Sequence, residues 1–117
     1  MTSIELPKIR ALRDPGLAIA VSRDGGTRVL VVSGELDMAT APHLRAALDA
    51  ESERDAPTLV DLASLDFIDM TGLRVLLDAA TDAAAKGQAF EVLNPSPAVS
   101  RLLELTGLGG RLSIRRA

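Results

Sequence analysis

The chain has 117 residues with 13 Lys and Arg, 16 Asp and Glu and no cysteine, which gives a formal net charge of −3. This length fits one domain of ordinary size. The lack of cysteine excludes disulfides and thiolate metal sites, and the acidic balance argues against nucleic-acid binding, which needs clustered Lys and Arg. The apolar runs are too short to span a membrane, and the first ten residues lack the apolar core that a secretory signal needs. We therefore expect a cytoplasmic protein without membrane insertion.

The first part of the chain predicts a β-hairpin that is preceded by a tail. Residues 1–16 show no clean periodicity, so we predict a tail that is either loosely held or adds an edge strand to a domain at 17–117. In residues 17–21, large apolar side chains alternate with small ones, which is the period of a half-buried strand. Asp24-Gly25-Gly26 separates this run from the β-branched run Val29–Val32, and this pattern is typical of a hairpin.

After the hairpin, helical and strand-like patterns alternate along the chain. The predicted elements are, in order, a strand that ends at Gly34, a helix from the cap Thr40 to Glu51, a strand at 59–62, a turn that ends at Phe67-Ile68, a helix from Asp69 to Gly87, a strand at 90–93, a helix from Ser96 to Gly107 and a strand at 112–114. Strands that alternate with helices favour right-handed crossovers and parallel pairing. We therefore predict an α/β fold, with a mostly parallel central sheet, an N-terminal β-hairpin and helices packed on the sheet.

Catalytic and metal-binding patterns are missing from the sequence. His43 is the only histidine, it lies early in a predicted helix, and no Gly-x-Ser-x-Gly elbow accompanies it. One histidine and scattered carboxylates give no zinc-ligand spacing, and no glycine-rich phosphate loop follows a strand. We therefore expect no enzymatic activity, no metal and no cofactor, and we place His43 on the surface or half buried in its helix.

Two short segments stand out because each joins a strand to the following helix. They are Ser33–Asp37 and Phe67–Leu73. Loops of this kind gather at the carboxyl ends of parallel strands, where α/β sheets place their functional sites. The second segment also presents the free N–H groups of a helix start, which favour an anion such as phosphate. A purely structural role is the alternative, with Asp69 as a helix cap, Gly72 permitting close packing and Asp37 capping a turn.

Three motifs in this order resemble the STAS domain, and more closely the bacterial anti-sigma-factor antagonists that consist of this one domain. The motifs are Gly34-Glu35-Leu36-Asp37, then Phe67-Ile68-Asp69-x-Thr71-Gly72-Leu73, then Ser96-Pro97-Ala98-Val99-x-Arg101-Leu102-Leu103 through Thr106-Gly107-Leu108. The resemblance extends from about Leu17 to Ile114. It implies a partner switch, in which the antagonist binds an anti-sigma factor, often a serine kinase, and frees a sigma factor. Phosphorylation of the antagonist by that kinase breaks the complex.

The sequence departs from this family at the residue that is usually phosphorylated. In the family a serine directly follows the Asp of the second motif, whereas this chain has Met70, whose thioether cannot accept a phosphoryl group. Thr71 is the remaining hydroxyl of the motif, and it is either a displaced acceptor or a helix-start residue whose hydroxyl bonds the backbone. The resemblance therefore implies a binding function that persists while the usual off-switch is lost.

We predict a partner-facing patch within and beside these segments. It comprises Asp37, Thr40, Asp69, Met70, Thr71, Gly72, Leu73 and Arg74. Asp69 orders the helix start, and Met70 supplies flexible apolar contact. Leu73 adds to that contact or else faces the core. Arg74 is a rim charge that steers approach to an acidic partner.

Two other functions fit part of the pattern. A STAS domain can be an accessory subunit of a membrane transporter, and the sequence does not exclude this because the fold is shared. A degenerate phosphoreceiver-like domain has a similar length, but Arg23-Asp24 is no acidic pair, and neither Lys8 nor Lys86 suits the last strand. The sequence sets no oligomeric state, and we expect a monomer or a weak dimer.

Overall fold

Six strands and three α-helices follow one another in the computed structural model, which describes residues 10–14, 16–50 and 56–117. The elements are β1 Arg10–Asp14, β2 Leu17–Asp24, β3 Thr27–Leu36, α1 Ala41–Leu48, β4 Thr58–Ile68, α2 Met70–Ala85, β5 Phe90–Leu93, α3 Pro97–Thr106, a 3-10 turn Gly109–Arg111 and β6 Ser113–Arg115. Within these ranges, no helix is both long enough and apolar enough to cross a membrane.

The strands form one sheet in which spatial order follows chain order, β1-β2-β3-β4-β5-β6. The pairs β1–β2 and β2–β3 are antiparallel, and the three pairs from β3 to β6 are parallel. This confirms the predicted α/β fold with an N-terminal hairpin and a mostly parallel sheet. Of the two alternatives for the tail, Arg10–Asp14 takes the edge strand, while residues 1–9 lie outside the described residues.

The predicted hairpin is confirmed, and its turn depends on two glycines. Gly25 and Gly26 have φ angles of 57° and 87° between the paired residues Asp24 and Thr27. A two-residue hairpin turn of this kind needs positive φ at both central positions, because only then does its twist match that of the strands. Glycine adopts these angles without steric cost.

The hydrophobic core lies between one face of the sheet and the helices. Val21, Leu30, Val60 and Val92 form a row across four strands by register, and each is at most 8% exposed. They belong to one cluster with apolar residues of all three helices, among them Leu44, Leu76 and Val99. The residues beside them in sequence point to the other face. Ala20, Val31, Asp61 and Leu93 on that face are half-buried or exposed, so the helices cover a single face of the sheet.

A buried arginine ties together the end of the sheet where the parallel strands begin. Arg28 is 4% exposed, and its Nε and Nη2 atoms donate to the Thr58 hydroxyl at 3.2 and 3.0 Å. Its Nη1 atom donates to the carbonyl of Leu48 at 3.0 Å, at the last residue of α1. A buried charge is tolerated only when its donors are satisfied. The hydrogen bonds of Arg28 therefore link the start of β4 to the end of α1.

The structure corrects three predicted boundaries. Strand β4 does not end at residue 62 but continues to Ile68, because Leu65 and Ile68 are buried and pair with β3. The residues between 59–62 and Phe67-Ile68 were predicted as a turn, and exposed polar residues in this stretch conceal the strand pattern in the sequence. Helix α1 ends at Leu48 rather than Glu51, which lies outside the described residues. Strand β3 does not end at Gly34 but runs through it to Leu36.

Gly34 makes this continuation possible by forming an irregularity in the strand. Its φ angle is 99°, and the register of β3 against β4 shifts between Gly34 and Glu35. The Glu35 N–H then donates to the carbonyl of Gly16 at 2.6 Å. A Cβ atom at position 34 would collide with that same carbonyl oxygen. Both the angle and the space therefore require glycine here.

We predict that Gly34→Ala lowers the free energy of unfolding by about 1–3 kcal/mol, because it adds a strained φ angle to a backbone collision. Urea denaturation measures the change. Gly110→Ala is the matched control, since a Cβ at Gly110 meets nothing within 4 Å. The control should change stability by no more than about 0.5 kcal/mol. Equal losses in the two variants would contradict the prediction.

Candidate partner-binding surface

The two segments singled out in the sequence meet at the carboxyl ends of β3 and β4. Leu36 and Ile68 are paired at the last residues of the two parallel strands. Just beyond them, the N–H of Asp69 donates to the carbonyl of Leu36 at 3.1 Å. The loop that leads into α1 and the loop that leads into α2 therefore start side by side, as the prediction of parallel strands requires.

Asp69 caps the start of α2. Its Oδ1 atom accepts a hydrogen bond from the Gly72 N–H at 3.0 Å, and its backbone is extended, with φ −115° and ψ −177°. An extended residue whose carboxylate accepts from the third following amide is the usual N-cap arrangement. The predicted cap is confirmed, and it fixes Met70 and Thr71 as the first two residues of the helix.

Gly72 brings the first turn of α2 onto the end of β3. A Cβ atom at this position would lie 2.6 Å from Cγ of Leu36 and 2.8 Å from its carbonyl oxygen. Leu36 is itself fully buried. Any larger residue at position 72 would push the helix away from the strand, so the close packing predicted for Gly72 is confirmed.

Asp37 and Thr40 hold the other loop in a closed hydrogen-bonded turn. The Asp37 Oδ1 atom accepts from the N–H groups of Ala39 and Thr40 at 2.9 and 3.1 Å. The Thr40 hydroxyl donates to the carbonyl of Glu35 at 2.7 Å and accepts from the Asp37 N–H at 3.0 Å. Asp37 therefore caps the turn, in agreement with the structural role considered for it.

The predicted position of Thr40 at the N-cap of α1 is confirmed, but its side chain does not cap the helix. Thr40 occupies the N-cap position, but it makes no side-chain cap hydrogen bond and its backbone is already helical, with φ −102° and ψ −19°. Its hydroxyl is engaged within the loop instead, so it does not reach the amides of α1.

Burial divides the predicted patch into an exposed group and a supporting group. Met70 is 42% exposed and Thr71 and Arg74 are also exposed, while Asp37 and Asp69 are half-buried. Thr40 and Gly72 are buried, which corrects the expectation that they face a partner. Leu73 is also buried, in agreement with the alternative that it faces the core. Leu73 has no exposed surface at all, because it belongs to the core beneath α2. These three residues shape the surface from below.

Two exposed apolar side chains in the same region were not in the predicted patch. Met38 is 75% exposed in the loop after β3, and Phe67 is 47% exposed near the end of β4. Met38 lies between an Asp and an Ala in a turn. A large apolar residue in a turn indicates an exposed apolar contact, so the sequence alone could have predicted this position. We call the exposed and half-buried residues together the loop surface: Asp37, Met38, Phe67, Asp69, Met70, Thr71 and Arg74.

The loop surface is suited to recognition of another protein. Large apolar side chains alternate there with charged ones, which is the composition of protein interfaces with an apolar centre and a polar rim. In residues 10–14, 16–50 and 56–117, no group of three or more His, Cys, Asp and Glu residues could hold a metal ion. His43 is exposed on α1, as predicted, and lies outside this surface.

Comparisons with known proteins show the family to which this fold belongs. The family described as "Mlab, STAS domain" matches residues 19–115. The anti-sigma-B factor antagonist of Listeria monocytogenes is 30% identical over 87 residues, which cover 74% of this chain and 76% of that protein. The anti-sigma F factor antagonist of Paenibacillus polymyxa is 32% identical over 94 residues, covering 79% of this chain and 80% of that protein.

A solved structure shows the same fold at similar identity. The crystal structure of an anti-sigma factor antagonist from Mycobacterium paratuberculosis superimposes with a TM-score of 0.75 and is 32% identical. The match covers 88% of this chain and 89% of the other. The chain belongs to the STAS domain family and groups with its anti-sigma-factor antagonists.

Proposed function

We propose that this chain binds an anti-sigma factor of the serine-kinase type through the loop surface and thereby releases a sigma factor. The observation that carries the proposal is the exposure of Met70 at the first residue of α2, where the resemblance places the switch residue of the family. The names of the relatives support it, since they describe antagonists of anti-sigma-B and anti-sigma F factors. The chain itself acts in the cytoplasm by binding and has no catalytic step.

The loop surface supports this role by combining a rigid base with adaptable contacts. The base is held by the Asp69 cap, the Asp37 turn and the close approach of Gly72 to Leu36. On it stand flexible methionine side chains, which adjust their shape to a partner. A rigid base limits the conformational entropy that is lost on binding.

Arg74 supplies a positive charge that steers an acidic partner toward the loop surface. It is exposed one helical turn beyond Met70, at the rim of the apolar residues. A rim charge changes the rate of association and its salt dependence more than the lifetime of the complex. The proposed partner therefore presents acidic groups opposite Arg74. The proposed complex contains one copy of this chain, which is a monomer or a weak dimer by itself.

We expect Met70→Asp to weaken binding to the partner by about tenfold or more, because it places an unpaired charge in an apolar contact. Isothermal titration calorimetry against the purified serine-kinase anti-sigma factors of the same genome measures the affinity. Leu105→Asp is the matched control, since Leu105 is 73% exposed on α3 and lies outside the loop surface.

The control decides where the interface lies. If Leu105→Asp weakens binding and Met70→Asp does not, the partner binds at α3 and the proposed surface is wrong. If the unmodified chain binds none of these kinases, the proposal fails, and an accessory role in a membrane transporter becomes the better interpretation.

We further propose that binding is not gated by the usual phosphorylation. Met70 has no hydroxyl, and Thr71 is rotated about 100° around the helix from that position, since an α-helix has 3.6 residues per turn. A kinase that aligns a hydroxyl at position 70 for in-line transfer does not align one at position 71. Thr71 is exposed at the second residue of α2, so the test below includes it as a displaced acceptor.

Met70→Ser should restore a phosphoacceptor at the position that the family uses. After incubation with the partner kinase and ATP, peptide mass spectrometry should find phosphate on the new serine and none on Thr71. Phosphate at this position adds a charge of about −1.5 to −2 and should release the partner. The variant Met70→Ser with Thr71→Ala controls for transfer to the neighbouring residue. Stoichiometric phosphate on Thr71 of the unmodified chain would refute the proposal and identify Thr71 as a displaced acceptor.

A further inference from the structure

All the sulfur atoms of the described residues lie on the loop surface. The chain has no cysteine and three methionines, which are Met1, Met38 and Met70. Met1 lies outside the described residues, and the other two are 75% and 42% exposed. Thioethers with this exposure are open to oxidants in the folded protein, whereas methionines buried in a core are protected until the protein unfolds.

The two methionines lie close enough together for a single partner protein to contact both. Each follows its strand by two residues, Met38 after Leu36 and Met70 after Ile68, and these strand residues are paired. Two residues of chain reach about 7 Å at most, and paired strands lie about 5 Å apart. Their α-carbons are therefore within about 20 Å of each other, and a protein interface of standard size covers both.

We propose that Met70 and Met38 of the free chain are sites of reversible oxidation, and that methionine sulfoxide at these positions weakens binding of the partner. This inference rests on the proposed function, because it assigns the regulation of the same surface. It puts a redox modification at the position where the resemblance places a phosphorylated serine. The oxidant is a peroxide, and Met70 carries the larger effect because it lies at the start of α2 beside Asp69.

Hydrogen peroxide oxidises the methionine sulfur directly, and no other group of the protein takes part in the reaction. A sulfur lone pair attacks one oxygen of hydrogen peroxide, the O–O bond breaks and a sulfur–oxygen bond forms. The sulfur is oxidised by two electrons, and the peroxide is reduced to one molecule of water. A dithiol reductant, acting through methionine sulfoxide reductases, removes the oxygen as water and becomes a disulfide.

Oxidation weakens binding because the sulfoxide is more polar than the thioether, although it carries no net charge. A sulfoxide oxygen is a strong hydrogen-bond acceptor. When such an acceptor is buried in an interface without a donor, it loses its hydrogen bonds to water, and the free energy of binding becomes less favourable. The fold is not at risk, since neither side chain is part of the buried core that includes Leu36 and Leu73. Oxidation should therefore alter recognition while the folded state is retained.

The experiment oxidises the full chain alone and then measures binding. The protein is treated with graded hydrogen peroxide, the excess is removed with catalase, and peptide mass spectrometry quantifies each sulfoxide. Affinity for the purified serine-kinase anti-sigma factors is then compared with that of the untreated sample of the same variant. Circular dichroism monitors the fold. The variants are Met70→Leu, Met38→Leu and the double variant, since leucine keeps the volume and cannot be oxidised.

We expect sulfoxide at both positions of the folded protein and a loss of affinity of about tenfold or more, which methionine sulfoxide reductases reverse. Met70→Leu should remove most of the sensitivity to peroxide, and the double variant should remove all of it. Sensitivity that persists in the double variant, or full affinity in the doubly oxidised chain, would overturn the inference and leave the proposed function intact. Failure of the untreated chain to bind any of the kinases would instead overturn the proposed function, and the inference with it.

Discussion

The close approach of α2 to the end of β3 is the constraint on which the loop surface depends. Gly72 lies against Leu36 with no room for a Cβ atom, and the Asp69 N–H bonds the Leu36 carbonyl at 3.1 Å. This contact sets where the helix begins relative to the strand. Because Met70 is the first residue of that helix, its position on the surface is decided by packing two residues away.

The loop that leads into α1 is brought beside the start of α2 by an irregularity in strand β3. Strand β3 passes through Gly34 at a φ angle of 99°, which shifts its register against β4 before the two strands end together. The Asp37 turn and the Thr40 hydroxyl then close the loop onto its own backbone. The loop surface thus combines backbone that is strongly held with side chains that are free to adapt. This combination suits the recognition of a protein more than the binding of a small ligand.

A thioether at position 70 changes what can regulate this surface. A serine there would allow a switch by charge, driven by a kinase and ATP. A methionine gives apolar contact in its ordinary state and allows a switch by polarity, driven by an oxidant. The family's switch and the proposed oxidation both act at the start of α2, so the same surface geometry serves either a kinase signal or an oxidant signal.

The sequence by itself determined the features that depend on neighbouring residues. Examples are the hairpin at Asp24-Gly25-Gly26, the Asp69 cap, the order of strands and helices and the absence of a hydroxyl at position 70. Tertiary structure alone decided that β4 extends to Ile68, which of the two alternatives holds for Leu73, and that Phe67 is exposed. These depend on strand pairing and helix packing between residues far apart in the chain, and a local pattern carries no information about such contacts.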